Sequence, residues 1–294
     1  MIRSLLFLPG NTPNIIINAA ALGADAVIFD LEDAVSPEEK DAARILVRNA
    51  LQTLDPGGCR RVVRINSLDT PYWQADLREI APLKPDLIMP AKISGPQDIC
   101  RLEDFLAGLE KEAGLVSETI RLLPLIETAL GVENAFAIAG ASPRVEALFL
   151  GAEDLTADLR CKRTKEGGEI LYARSRLVMA ARAAGLEVYD TPFTDVNDDR
   201  GLEDDARQAR SLGFSGKAAI SPRHVSVINQ VFSPTLPEID YAWEVLETIR
   251  KARAQGKGAV SLHGKMIDAP IVARARQTMA AAEKLGLGRS EGHE

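Results

Sequence analysis

The sequence predicts a (β/α)8 barrel with a C-terminal helical extension. Eight short apolar runs, near 4–8, 25–31, 61–66, 86–91, 121–126, 146–151, 187–191 and 217–221, alternate with segments of helical spacing. The runs are built of Val, Ile, Leu and Phe without a polar alternation, which fits parallel strands covered on both faces. No GxGxxG loop follows any run, so a dinucleotide-binding sheet is the weaker alternative. Five runs also end on charged residues: AVIFDLED at Glu32 and Asp33, RVVRIN at Arg64, LIMPAK at Lys92, LLPLIE at Glu127, and ALFLGAED at Glu153 and Asp154. In a barrel of this kind the strand ends form one mouth, and chemistry belongs there.

Each element has its own justification. The first run, in MIRSLLFLPG, stops at Pro9, Gly10 and Asn11, far short of a signal or membrane segment, and reads as the first strand. Helical spacing is expected over 13–22, 37–54, 72–80, 96–113, 131–140, 169–184, 199–212 and 222–231. Ser36-Pro37-Glu38-Glu39 offers an N-cap, a first-turn proline and acids suited to the helix dipole. Gly23, Gly114, Gly140, Gly185 and Gly213 stand where helices should end. After residue 232, Ser233-Pro234 and Leu236-Pro237 interrupt the chain, and 238–255 and 270–286 read as two amphipathic helices around GKGAVSLHGKMIDAP. The expected organisation is a barrel over 1–232 and an extension over 233–294 too small to be an independent domain.

Composition narrows the function. Hydrophobic residues make up 46% and charged residues 26% of the 294, ordinary values for a globular protein. A net charge of -7 argues against a nucleic-acid partner, which needs a concentrated basic face. Cys59, Cys100 and Cys161 are too few and too widely spaced for a disulfide framework or a zinc site, so a reducing cytoplasm is expected; the short N-terminal apolar run leaves no membrane partner expected. Of three histidines, His293 is in the tail, which leaves too few for a His-rich metal site or a His-dependent triad.

Carboxylates must therefore do the proton and metal work. Glu127 and Asp154 end neighbouring strands, and oxygen donors without imidazole favour Mg2+ held by one or two carboxylates. The bland reading makes Glu127 a helix cap and pairs Asp154 with an arginine. Arg64 has a planar fork suited to a carboxylate or an oxyanion, or else it forms a buried salt bridge to Glu32 or Asp33. Either acid of that pair is also a candidate for supporting Arg64 or a metal-bound water. Lys92 reads as an electrostatic or structural residue ahead of a Schiff-base lysine. Arg3, the turn at 9–11, Gly216-Lys217 and Gly264-Lys265 are weak candidates for phosphate contact.

The strings FLPGN, FDLEDAVSPEEKDAAR, RIN, LIET, LGAEDLTADL, ISPRH and GKMIDAP, in this order from residue 3 to about 276, resemble the citrate lyase β-subunit family. The wider HpcH/HpaI aldolase group, with malyl-CoA and citramalyl-CoA lyases, is similar too. The resemblance implies a Mg2+-dependent carbon–carbon lyase and a homo-oligomer, most often a trimer. Its substrate would be a citramalyl, citryl or malyl thioester, cleaved by retro-Claisen chemistry to an acetyl thioester and a 2-oxo acid. Carried over, Glu127 and Asp154 match metal ligands, Arg64 the substrate-binding arginine, and Glu32 and Asp33 the supporting acids. The amides around Ala152, Glu153 and Asp154 match the oxo-acid carboxylate site. Asp268 of GKMIDAP matches an acid that handles the acetyl methyl proton and comes in relatives from a neighbouring subunit. Pro90-Ala91-Lys92 replaces a common Leu-Pro-Lys, and Ser221 and His263 stand where close relatives often have Asn. Two alternatives keep the fold: a citryl-acyl-carrier-protein lyase subunit, and a non-catalytic barrel that binds CoA esters. A metal-dependent aldolase on free hydroxy acids would ordinarily want a His in the barrel strands.

Overall fold

The computed structural model describes residues 1–254 and 260–288. His293 and the start of the GKGAVSLHGKMIDAP stretch lie outside them. The described chain forms two compact units, Ile2–Gln230 and Val231 onward together with Met1.

The first unit is a parallel barrel. Its strands are Ser4–Pro9, Ala26–Asp30, Arg60–Ile65, Leu87–Pro90, a fifth in two pieces at Arg121–Leu122 and Leu125–Ile126, then Ala147–Leu150, Glu187–Asp190 and Gly216–Ala219. Every neighbouring pair is parallel, and the first strand pairs with both the second and the eighth. The ring closes through the fifth strand, whose first piece pairs with the fourth strand and whose second pairs with the sixth. Pro124 divides the two pieces because it has no N–H to give to the ladder. Its carbonyl still accepts from the Phe149 amide at 3.0 Å, and the Leu123 amide reaches the Ile88 carbonyl at 2.8 Å.

Residues of alternate parity point inward, as a pleated strand requires. Leu5, Ile28, Val62, Met89, Leu125, Phe149, Tyr189 and Ala218 fill the interior, one from each strand. A site can therefore form only where this filling stops, at the C-terminal mouth.

Some expectations are corrected. Gly23, Gly114, Gly185 and Gly213 adopt positive φ as helix-ending glycines, but Gly140 ends its helix at φ -95°. Ser36 precedes a 3₁₀ turn, Pro37–Glu39, without giving it a side-chain hydrogen bond. The expected helix over 131–140 is two short ones, Ala129–Glu133 and Ala135–Ala139, broken at Asn134. The Asn134 amide side chain donates to the Ser94 carbonyl instead, at 2.8 Å. A helix at Ala152–Asp158 is too short to show a period in the sequence.

In the second unit, helices Leu236–Ala254 and Ala269–Lys284 pack around Val245, Ile267 and Val272. An antiparallel hairpin, Val260–Leu262 with Lys265–Ile267, lies between them in sequence, where the apolar pattern predicts no strand. His263 and Gly264 form its turn, both with positive φ, at 48° and 76°. Gly264-Lys265 is thus a hairpin corner, not a phosphate loop, and His263 reaches Glu244 at 2.7 Å.

Two other phosphate candidates are spent on structure. Arg3 is bonded to Asp25 through Nε and Nη2, each at 2.8 Å. Lys217 is fully buried behind the barrel wall, its Nζ 2.6 Å from Asp190, Asp205 and the Thr191 carbonyl. Arg174 completes that network against the same two aspartates. Buried charges persist only when paired in this way.

Candidate active site

Continuing each inward-facing row by two residues past the core reaches the mouth. Ile28 leads to Asp30, Val62 to Arg64, Leu125 to Glu127, Phe149 to Gly151, and Tyr189 to Thr191. These residues, with Asp33, Ala152, Glu153 and Asp154, line a cavity of about 440 Å³. Its apolar wall comes from Phe7 and Phe149, packed edge to face with ring centres 5.9 Å apart.

Arg64 is the fixed cation. Its Nε and Nη2 grip the Asp30 carboxylate at 2.7 and 2.5 Å, and Nη1 lies 3.0 Å from Glu32 Oε2. The guanidinium stacks 5.1 Å from the Phe7 ring centre. Burial opposes its charge, but Asp30 and Glu32 prevail and raise its pKa. The salt bridge to Glu32 expected from sequence is present, Asp33 is more distant at 3.9 Å, and the principal partner is Asp30. Asp30 stands inside the apolar run ahead of the LED that ends it, and only the parity it shares with Ile28 marks it as facing the mouth.

Glu127 is buried at the end of the fifth strand. It does not cap the helix that follows, because the Thr128 hydroxyl accepts from the Gly131 amide at 3.0 Å. Glu127 Oε1 instead accepts from the Lys92 amide at 2.9 Å. Burial, and then the negative charge of Asp154, push its carboxyl up to about 8 against the pull of Arg64. Gly151 makes room for it, since a Cβ there would lie 2.7 Å from Glu127 Oε2 and 2.8 Å from its Cβ.

Asp154 stands in the first turn of the helix Ala152–Asp158. Its partner is Lys92, at 3.2 Å, and not an arginine. Lys92 Nζ also meets Glu32 Oε1 at 3.1 Å. Burial lowers and these carboxylates raise the Lys92 pKa, with a net rise, the opposite of the depressed pKa that a Schiff-base lysine needs. The Ala152 amide, expected to face substrate, donates to the Thr191 hydroxyl at 3.1 Å. Glu153 is over half exposed at the rim, 3.7 Å from Arg163.

The structure thus brings Arg64, Glu32, Glu127 and Asp154 to one mouth, with Asp33, Ala152 and Glu153 on its edge. Asp268 belongs to the second unit, where it caps the helix Ala269–Lys284 by accepting from the Ile271 amide at 3.1 Å. Among the described residues no three or more His, Cys, Asp or Glu side chains converge as a closed metal cage. Two carboxylates still suit Mg2+, which keeps several waters and takes few protein ligands.

Fold and site define a parallel α/β barrel with carboxylates and one guanidinium gathered at its mouth. A family model, HpcH/HpaI aldolase/citrate lyase, matches residues 3–222, and the chain belongs to that family. It is 43% identical over 291 residues to citrate lyase subunit beta of Leuconostoc mesenteroides subsp. cremoris, covering 99% of this chain and 96% of the relative. It is also 36% identical over 288 residues to a (3S)-malyl-CoA thioesterase of Cereibacter sphaeroides, covering 98% and 97%. Among solved structures, CitE of Mycobacterium tuberculosis in complex with magnesium, acetoacetate and coenzyme A is similar at a TM-score of 0.79 and 31% identity. That match covers 96% of this chain and 98% of the other. No helix among the described residues is long and apolar enough to cross a membrane.

Proposed function

We propose that the protein is a Mg2+-dependent lyase that cleaves a 3-hydroxy-acyl thioester, of the citramalyl, citryl or malyl type, into an acetyl thioester and a 2-oxo acid. The observation that carries this reading is the meeting of Glu127, Asp154 and Arg64 in one cavity, with Glu32 behind Arg64 at 3.0 Å. Magnesium in the related CitE complex and the citrate lyase relatives support it.

Glu127 and Asp154 would hold the ion. When bound, it supplies Lewis-acid polarisation of the substrate's hydroxyl and carboxylate oxygens. Arg64 has N–H groups left after binding Asp30 and Glu32, and these stabilise negative charge on the hydroxyl oxygen as it develops. The hydroxyl proton leaves to the acidic cluster around Glu32. The bond to the neighbouring carbon then breaks, its electron pair passing to the thioester enolate while the hydroxyl carbon becomes the keto carbon. Phe7 and Phe149 keep water from that side of the cavity. Asp268 returns a proton to the enolate carbon as general acid. Its role rests on the family resemblance and implies a homo-oligomer, a trimer by the same resemblance, in which a neighbouring subunit supplies Asp268.

The malyl-CoA thioesterase relatives favour one second reading, a CoA thioester of malyl type as substrate. The citrate lyase relatives favour the other, a citryl group on an acyl carrier protein. Incubation with Mg2+ and citramalyl-CoA, malyl-CoA, citryl-CoA and a citryl carrier protein discriminates among them. The expected result is a Mg2+-dependent 2-oxo acid from one substrate: pyruvate, glyoxylate or oxaloacetate. Hydrolysis to a free hydroxy acid, with no oxo acid, would replace the lyase by a thioesterase.

A further inference from the structure

Lys92 follows the fourth strand with φ 57°, in the left-handed region that a residue with a Cβ enters only when its surroundings hold it there. It is held at both ends. Its amide donates to Glu127 Oε1 at 2.9 Å, and its ammonium lies 3.1 Å from Glu32 Oε1, 3.2 Å from Asp154 Oδ2 and 4.0 Å from Asp33 Oδ1. One flexible side chain therefore spans acids from the loops after the second and sixth strands while its backbone fixes the acid of the fifth.

The two cations of the mouth differ in mobility. Arg64 is 11% exposed and clamped on two nitrogens by Asp30. Lys92 is 38% exposed and has a compact charge on a four-carbon stem, so water can receive it without loss of hydration. An ammonium and a divalent ion on the same Asp154 carboxylate would repel each other at short range. Of the two cations, only Lys92 can leave.

We propose that Lys92 is a built-in counter-ion of the acidic mouth, whose ammonium competes with the divalent ion for Asp154 and Glu32 and swings to solvent as the ion enters. The competition sets the ion affinity of the enzyme and prevents the acidic cluster from repelling itself apart. The inference rests on the assignment of Glu127 and Asp154 as the ion-binding pair.

The test is calorimetric titration of the full-length protein with Mg2+ alone, without substrate, for wild type, Lys92→Met and Asp154→Asn. Met keeps the length of the side chain without its charge. Lys92→Met is expected to bind Mg2+ about tenfold more tightly, within the usual range of coupling between two ligands. Unchanged or weaker binding in Lys92→Met, with binding lost in Asp154→Asn, would overturn the counter-ion and leave the ion-binding pair standing. Unchanged binding in Asp154→Asn would remove the pair itself. If Lys92→Met does not fold, the wild type answers by acylation with acetic anhydride, read at Lys92 by peptide mass spectrometry. Reactivity at Lys92 should rise on adding Mg2+, and a constant or falling rate would overturn the proposal.

Discussion

Arg64 and Asp30 are register partners on adjacent strands, and their side chains meet in a two-point grip at 2.7 and 2.5 Å. Asp30 in turn is fixed by the Glu32 amide at 2.9 Å. The fork is thereby aimed before any substrate arrives, and lysine cannot reproduce it. Arg64→Lys is expected to retain the circular dichroism spectrum and lose about 10²- to 10³-fold in kcat, the scale of losing one oxyanion-stabilising donor. Asp30→Ala leaves the buried guanidinium short of its main partner and should cost about 3–5 kcal/mol in urea unfolding. Wild-type kinetics in Arg64→Lys would reduce the pair to a structural tie.

Gly151 leaves the space in which the Glu127 carboxylate sits. Adding one methyl would place carbon 2.7 Å from Glu127 Oε2, so the carboxylate must turn away. A shift of about 1 Å is enough to cost roughly 10²-fold in rate. Gly151→Ala should therefore lower kcat/KM by about that factor, and because the new carbon would also lie 2.8 Å from Glu127 Cβ it should lower thermal stability as well. If the variant instead kept full rate, Glu127 would have no positional role.

The barrel was legible in the sequence because eight unalternating apolar runs and their spacers obey local rules, and all eight strands lie where the runs lie. The mouth was legible only where a charge ended a run. Arg64, Glu127 and Asp154 stood out for that reason. Asp30 did not, since only the inward parity of Ile28 marks it, and parity is hidden when both strand faces are apolar. Lys217 misled in the opposite direction. A Gly-Lys pair resembles a phosphate loop, but its ammonium pairs with Asp190 and Asp205, distant in sequence and brought together by the fold. The hairpin at Val260–Leu262 and Lys265–Ile267 has three-residue strands, too short for any period to declare itself.

Acid stability should depend on Glu169. Burial would raise its carboxyl, but the Thr164 amide and hydroxyl, with Arg163, outweigh burial and hold it at about 2. Its folded value is below the ordinary 4.5, so the stabilisation is present above pH 4.5 and is lost as pH falls toward 2. Urea midpoints measured across that window should fall more steeply in wild type than in Glu169→Gln, which has no proton to take up. Parallel curves for the two proteins would show that Glu169 contributes nothing to the acid limb.

Asp268 carries two assignments that one substitution separates. As a helix cap it accepts from the Ile271 amide at 3.1 Å, and Asn serves that purpose about as well as Asp. Asp268→Asn should therefore change unfolding free energy by less than about 0.5 kcal/mol, whereas Asp268→Ala should lose about 1 kcal/mol with the cap. As a proton donor it has no substitute in Asn, whose amide does not titrate in this range. Both variants should then lose cleavage alike, and both should stop hydrogen exchange at the acetyl methyl of acetyl-CoA in the presence of an oxo-acid analogue. Exchange at the wild-type rate in Asp268→Asn would confine Asp268 to capping and leave the enolate proton to another group. Normal exchange in Asp268→Asn with loss only in Asp268→Ala would trace the defect to the helix end instead of to the chemistry.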